Sequence, residues 1–424
     1  MGHLEDNRRR EVKTPSRRSG SSSALIMSTS VREPTQGSVH LDALRGAAAL
    51  LVFTSHTRAL YFPDAHVASK TSTIATSGSA PVRPEHLEGI KIASEAVIIF
   101  FVLSGYLVGG SVLRSLQLGK WSWSKYLTKR LTRLYIVLIP ALVIGVGLDY
   151  LGSHVFGAGS VYTTPIGIGI ITTAGLMERF RWTVYLGNLF FLENFRVPYA
   201  GTNVSLWSLA NEFWYYLLFP MLCLAAMKRR RIVERILWCF MAIAILFFVG
   251  KDIAVLFIIW LMGAAVSQLP RKVQVSKVKW LSAVSLLLLL VAMTSVRIAQ
   301  WQVLPADLVI GLTTSLLIYL LVQQTLVSKH TAYSRFAGFF SHISYSLYLF
   351  HLPLAMFLAG ILNTPWHPWA RSPRYFLDFF AADTVIVICV YGLWWLFERN
   401  TDFVRYFVFE SWRSAIPGSS ISHD

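Results

Sequence analysis

The chain has 424 residues, of which 54% are hydrophobic and 14% are charged. A soluble domain usually carries about 25% charged residues, so this composition excludes an ordinary soluble enzyme and indicates an integral membrane protein. The formal net charge is +17, but the basic residues cluster in short segments between apolar runs. That distribution is typical of cytoplasmic loops rather than of a nucleic-acid interface, so we predict no nucleic-acid partner.

The N-terminal segment, residues 1–37, is rich in Arg, Ser and Pro and shows no apolar periodicity. Such a composition predicts a disordered basic tail, which we assign to the cytoplasmic side. A cleaved signal peptide would need an uninterrupted apolar core, whereas Asp42 and Arg45 interrupt the first apolar run.

Ten apolar segments follow, each close to the ~20 residues that cross a bilayer. They cover residues 39–60, 93–113, 131–151, 205–227, 232–249, 252–269, 279–297, 306–327, 339–362 and 378–397. Lys and Arg concentrate in alternate connections, which predicts that both termini are cytoplasmic, although "WHPWARSPR" places two arginines on the outer side. The predicted fold is all-α: a polytopic transmembrane helical bundle of about ten spanning helices.

The segments between and after the ten predicted spans, and the cysteines, indicate no further domain or metal centre. Two shorter apolar pieces within residues 152–204 suit interfacial or re-entrant segments, and residues 401–424 are predicted to form a cytoplasmic C-terminal tail. The three cysteines, Cys223, Cys239 and Cys389, lie in apolar runs without metal-ligand spacing. We therefore predict neither a disulfide nor a metal site.

The first apolar segment carries three ionisable residues, Asp42, Arg45 and His56. At about 100° per residue they share one narrow stripe of a helix with Ala49 and Val52. A charged group at the bilayer centre costs roughly 2.5–3.5 kcal/mol on insertion scales, so this stripe is predicted to face the interior of the bundle. The structural alternative is an Asp42–Arg45 pair with His56 merely hydrogen-bonded.

Two basic residues, Arg130 and Arg133, lie three apart at the start of the third segment. Alone they are ordinary positive-inside charge; beside Arg45 at the same depth, they would clamp a polyanion such as a phosphate-bearing cofactor. Glu398, at the inner end of the tenth segment, could pair with any of the three arginines.

Further polar residues occur in the second, fourth and ninth segments. Ser104 adjoins a small-xxx-small pair of glycines that favours close helix packing, and it could instead satisfy a carbonyl of its own helix. Glu212 needs a partner inside the membrane, which suits acid–base chemistry. Tyr348 and His351 share a helical face, and a lone histidine in a bundle is more often a satisfied core residue than a catalyst.

Six stretches, in chain order, carry a resemblance to one family: "LDALRGAAALLVFTSH", "FFVLSGYLV", "KRLTRLY", "WSLANEFWYYLLFP", "ISYSLYLFH" and "FERN". They resemble the motifs of the acyltransferase-3 family of integral membrane acyltransferases over about residues 40 to 400. The chain departs from the usual pattern at Ala96 and Ile98, where Gly and an acidic residue are common, and at Asn400, where Pro is common.

The resemblance implies that residues 38–400 form a stand-alone membrane acyltransferase domain without a fused esterase-like domain. Such a protein, in a plasma or bacterial inner membrane, would transfer an acyl group, usually acetyl, from cytoplasmic acetyl-CoA or another acyl-CoA. The acceptor would be a hydroxyl of a carbohydrate or glycolipid. No metal is implied.

Residue chemistry and resemblance together give a working assignment. His56 would be the catalytic base or a covalent acyl carrier, and Glu212 would orient or protonate it. The cofactor-binding residues are Asp42, Arg45, Arg130 and Arg133: the three arginines would hold the CoA phosphates, and Asp42 would orient Arg45. Substrate-binding or structural roles are left to Ser104, Trp207, Tyr215, Tyr348, His351 and Glu398.

A proton-coupled transporter or exchanger is the alternative from another class, since a proton relay also uses buried His, Glu and Arg. Transporters often show inverted repeats, and the sequence contains no evident repeat. The acyltransferase interpretation is therefore favoured.

Overall fold

A computed structural model describes residues 35–62, 91–164, 167–168, 171–172, 175–193, 195–270, 275–299, 301–326 and 331–414. The predicted basic tail, residues 1–37, lies outside this part of the chain except for its last three residues.

All ten predicted segments form helices. In chain order the helices are α1 (Gln36–Tyr61), α2 (Lys91–Ser104), α3 (Gly110–Gln117), α4 (Trp123–Val155), α5 (Trp182–Leu189), α6 (Leu206–Ala226), α7 (Ile232–Val249), α8 (Lys251–Val266), α9 (Val275–Ile298), α10 (Val303–Leu321), α11 (Ala332–Leu362), α12 (Pro373–Leu396) and α13 (Thr401–Ser414). A π-helical segment, Gly105–Gly109, joins α2 directly to α3, and a 3₁₀ turn, Glu398–Asn400, joins α12 to α13.

Eight helical stretches are long and apolar enough to cross a membrane. They are Ile92–Gln117, Trp123–Val155, Leu206–Ala226, Ile232–Val249, Lys277–Ile298, Val303–Leu321, Ala332–Leu362 and Pro373–Val408. The other two predicted spans are also helical: α1 has 26 residues but carries the ionisable stripe, and α8 has 16 residues. The protein is an all-α, multi-pass integral membrane protein.

Two helices begin well before the apolar runs from which they were predicted. α4 starts at Trp123 rather than at residue 131. Its N-cap is Ser122, whose side chain accepts a hydrogen bond from the Lys125 amide. α11 starts at Ala332 rather than at residue 339, behind a capping box formed by Thr331 and Ser334. Apolar runs mark the part of a helix that meets hydrocarbon, whereas capping residues mark where the helix begins.

The segments outside the spans also take regular structure. The first short apolar piece contains a hairpin of two-residue strands, β1 (Gly167–Ile168) and β2 (Ile171–Thr172), and the second contains α5. Residues 401–414, part of the predicted C-terminal tail, form α13, which packs against α4.

Two helix contacts position the polar residues. α1 packs along α11, where a Cβ on Gly46 would lie 2.7 Å from Cβ of Phe340. The π-helical segment approaches α8 so closely that a Cβ on Gly105 would overlap the Trp260 carbonyl. The glycines of the second span therefore serve close packing, as predicted, and they hold Ser104 against α8.

Candidate active site

A cavity of about 670 Å³ opens between helices at the end of the bundle where α1, α4 and α11 begin. We call it the basic cavity after its charged lining. Its charged residues are Asp42, Arg45, Lys129, Arg130, Arg133, Glu212, Glu398, Arg399, Asp402 and Arg405. Six cations against four carboxylates leave a positive surplus, so the cavity is suited to an anionic ligand.

Arg45 is held in place by two neighbours. Its Nη1 lies 3.7 Å from the Asp42 carboxylate and donates to the Ser341 hydroxyl at 3.3 Å. The Ser341 hydroxyl in turn donates to Asp42 at 2.8 Å. Asp42 therefore lies where the sequence predicted an orienting group for Arg45, and α11 supplies a third member that the sequence did not indicate.

The α4 cations are less constrained by acidic partners. Arg130 donates to the Ser111 hydroxyl at 2.9 Å and lies over the rings of Tyr126 and Tyr216, at 5.5 and 5.6 Å from their centroids. Lys129 and Arg133 are exposed at the cavity and form no ion pair within the described part of the chain. Their charge remains available to a ligand.

Glu212 is the centre of a second cluster on the cavity wall. One carboxylate oxygen accepts hydrogen bonds from the hydroxyls of Ser104 and Tyr216, both at 2.6 Å. The Trp260 indole N–H donates to the Ser104 oxygen at 3.2 Å. Ser104 thus binds the carboxylate of another helix rather than a carbonyl of its own.

Glu398 also bonds to a residue other than the arginines predicted as its partners. Its carboxylate accepts from the Ser346 hydroxyl at 2.6 Å and from the Ser346 amide at 3.1 Å, and it is 8% exposed. It lines the cavity with the arginines but bonds to α11 instead of forming an ion pair with them.

His56 pairs with His351, not with Glu212 as predicted. Nδ1 of His56 lies 2.8 Å from Nε2 of His351, and the two residues are 5% and 0% exposed. The rings are nearly parallel, with 10° between their planes. No hydrogen bond joins Glu212 to His56 in the described part of the chain, because the Glu212 carboxylate bonds instead to Ser104 of α2 and Tyr216 of α6.

Tyr348 connects the cavity to the histidine pair. It lines the cavity, shares a hydrogen bond of 2.6 Å with Ser208, and its ring centroid lies 6.2 Å from that of His351. Neither histidine is among the described residues that line the cavity. The pair therefore lies one layer beyond the inner end of the cavity.

Tyr215 and Trp207, predicted to bind substrate or to be structural, are not among the described residues that line the basic cavity. Tyr215 is fully buried, with its hydroxyl donating to the Ile253 carbonyl at 2.9 Å, so it fits the structural alternative. Trp207 is partly buried and packs edge-on against Phe101 at 6.1 Å. The tyrosine that bonds to Glu212 is instead Tyr216, one helical turn after it.

The residues that sequence reasoning missed are mostly hydroxyls. Ser341, Ser346 and Tyr216 each bond to a predicted site residue. The available signal was helical spacing: Ser341 and Ser344 precede Tyr348 on α11 at intervals of three and four residues. A lone Ser in an apolar helix carries too little information to be selected.

Comparison with known proteins identifies the family. The acyltransferase-3 model, described as an acyltransferase domain, matches residues 39–399. The chain belongs to this family. Its match begins just before Asp42 and ends at Arg399, so it contains the whole predicted set of site residues.

Individual relatives match over shorter stretches. An uncharacterized protein of Haemophilus influenzae is 29% identical over 161 residues, which are 36% of this chain and 56% of that protein. Acyltransferase MdmB of Streptomyces mycarofaciens is 28% identical over 206 residues, 48% of this chain and 43% of that protein. The chain thus spans about half the length of these relatives. No solved structure matches.

Proposed function

We propose that this member of the acyltransferase-3 family transfers an acyl group, of acetyl size, from acyl-CoA to a hydroxyl of a carbohydrate or glycolipid. The observation that carries the proposal is the continuous arrangement of the basic cavity, Tyr348 and the histidine pair. It offers cations at one end and an imidazole base at the other. The cations would bind the phosphates of CoA, and the base would activate the acceptor hydroxyl.

The basic cavity is the proposed site of the CoA phosphates. Arg45, Arg130 and Arg133, with Lys129, would hold them through charge-assisted hydrogen bonds. Their lack of full neutralisation by the cavity carboxylates supports this role, since a permanently paired cation has less to offer an anion. The cavity volume of about 670 Å³ lies within the ordinary range of ligand pockets.

The pantetheine arm would run from the cations towards Tyr348. Arg45 and His56 are eleven residues apart on α1, hence roughly 16 Å along the helix axis. An extended thioester arm is the part of acyl-CoA that would bridge this separation and bring the acyl carbon to the histidine pair.

His56 is the proposed base. Nε2 of His56 would take the proton of the acceptor hydroxyl as its oxygen attacks the thioester carbonyl. The new C–O ester bond forms, the C–S bond breaks, and the proton passes from His56 to the departing thiolate. A covalent version, in which Nε2 attacks the thioester first, needs the same unprotonated nitrogen.

The open end of the basic cavity is proposed to face the cytoplasm, where acyl-CoA is present. The same end of the bundle carries the Lys- and Arg-rich connections, including residues 228–231, which supports this orientation. The acceptor would then reach His56 from the opposite side of the membrane.

The proposal is tested first by direct binding of CoA to the purified protein in lipid nanodiscs. We expect saturable binding that weakens as salt rises, because the contacts are largely ionic. Turnover is then measured as release of free CoA from acetyl-CoA, with and without a panel of carbohydrate and glycolipid acceptors. Absence of CoA binding would overturn the proposal, as would acetyl-CoA-independent transport of a carbohydrate.

A further inference from the structure

We propose that His351 is a positioning residue that fixes the tautomer of His56 and so leaves Nε2 of His56 free to accept a proton. The inference rests on the proposed role of His56. A carboxylate usually performs this task for a catalytic histidine; here the structure assigns it to a second, neutral imidazole.

The backbone carbonyl of Leu347 fixes the tautomer of His351. It lies 2.8 Å from Nδ1 of His351, one helical turn away on α11. A carbonyl oxygen only accepts hydrogen bonds, so Nδ1 of His351 must carry the proton. A neutral His351 then has a bare lone pair on Nε2.

The tautomer of His351 in turn fixes the tautomer of His56 on α1. Nε2 of His351, now an acceptor, faces Nδ1 of His56 at 2.8 Å. Nδ1 of His56 must therefore be the protonated nitrogen of that ring, which leaves its Nε2 unprotonated. Nε2 of His56 has no hydrogen-bond partner in the part of the chain that the structure describes, so it is available to a substrate hydroxyl.

Burial explains why an imidazole suits this position. His351 is fully buried, and a carboxylate there would need several hydrogen bonds to offset its desolvation. A neutral His351 needs one acceptor and one donor, and the Leu347 carbonyl and Nδ1–H of His56 supply them. The two carboxylates of the cavity wall, Glu212 and Glu398, are bonded to serine and tyrosine groups instead.

The decisive measurement is the ¹⁵N chemical shifts of the two His56 ring nitrogens, which report the tautomer. Protein labelled with [¹⁵N]histidine is compared with His56→Gln protein, which identifies the His56 signals. We expect the shift of a protonated Nδ1 and an unprotonated Nε2 at a pH where the ring is neutral. The opposite tautomer in the wild-type protein would overturn the proposal, whatever the variants do.

Kinetic variants give an independent test. His351→Phe keeps a ring but offers no acceptor, and His351→Leu serves if the Phe variant does not fold. We expect either to lower kcat by roughly 10²- to 10⁴-fold, the range of a lost or misoriented base, and to scramble the His56 tautomer. CoA affinity should not change, because His351 does not line the basic cavity.

The matched variant is His351→Gln, whose side-chain oxygen accepts a hydrogen bond as Nε2 does. We expect it to retain the His56 tautomer and more of kcat than the Phe or Leu variant. A folded, CoA-binding Phe or Leu variant with wild-type kcat would overturn the proposal. Full activity of His56→Ala would instead overturn the proposed function of His56 itself, so the two failures are distinguishable.

Discussion

The basic cavity and the histidine pair solve the problem of polarity inside a membrane in opposite ways. The cavity keeps its charges accessible: Lys129 and Arg133 are exposed, and Arg130 bonds to the Ser111 hydroxyl and lies over two tyrosine rings. The pair is almost completely buried, and its two rings bond to each other and to the Leu347 carbonyl. Of these two regions, the one that is proposed to admit an ionic ligand carries the charges, and the one where bonds would be made and broken carries two imidazoles.

The difference separates binding from chemistry. Ions exposed to water attract phosphates at modest cost, whereas an unpaired ion in the interior would be strongly destabilising. Variants of the cavity should therefore alter affinity for CoA, and variants of the pair should alter turnover. Four predictions test that division.

The largest effect is expected from Gly105→Ala, which should prevent folding and so disrupt the basic cavity and the histidine pair together. The new Cβ would overlap the Trp260 carbonyl and push the second span from α8, displacing Ser104 and the Glu212 cluster. We expect loss of folded protein, measured as a monodisperse peak after detergent extraction. Gly392→Ala is the matched control, because a Cβ there meets nothing within 4 Å; equal recovery of the two variants would contradict the packing argument.

His56→Ala should come next, with a loss of kcat of roughly 10²- to 10⁴-fold. The expected signature is that the Kd for CoA stays at the wild-type value, since His56 lies beyond the cavity. His154→Ala is the control: that exposed histidine bonds to the Tyr150 carbonyl of its own helix. A His56→Ala protein that loses CoA binding in step with turnover would show that the two regions are not separable.

Arg45→Lys should weaken CoA binding by about 1.5–3 kcal/mol, the worth of a hydrogen bond to a charged group, which is roughly tenfold or more in Kd. Lysine keeps the charge but lacks the planar fork that reaches Ser341, Asp42 and a phosphate together. Arg58→Lys provides the comparison on the same helix, outside the cavity lining. Unchanged Kd by calorimetry in the Arg45 variant would refute the fork argument.

Arg133→Ala should give the smallest effect, about 0.2–1 kcal/mol in CoA affinity, as for other exposed ionic contacts. Its diagnostic feature is salt dependence: the difference from wild type should shrink as ionic strength rises. Arg335→Ala removes an exposed arginine at the start of α11 that does not line the cavity. If both variants bind CoA equally at low salt, the cavity charges are not specifically used.

Local sequence patterns were enough to predict which polar residues lie inside the membrane and which of them share a helical face. The stripe of Asp42, Arg45 and His56 faces the bundle as predicted, with the intervening Ala49 and Val52 each 1% exposed. The ten helices followed from segment length, and the family followed from the ordered motifs. These features are local, because period and composition fix them within one segment.

The hydrogen-bond partners of these residues could not be predicted from local patterns. His56 and His351 are 295 residues apart, and Ser104 and Glu212 are 108 apart, so each contact depends on how whole helices pack. The sequence paired His56 with Glu212 because a carboxylate is the usual companion of a catalytic histidine. Helical phase shows which side chains share a face, but it does not show which face of another helix they meet. That choice is made by the joint packing of all the helices, including glycines such as Gly46 and Gly105 that permit the closest approaches.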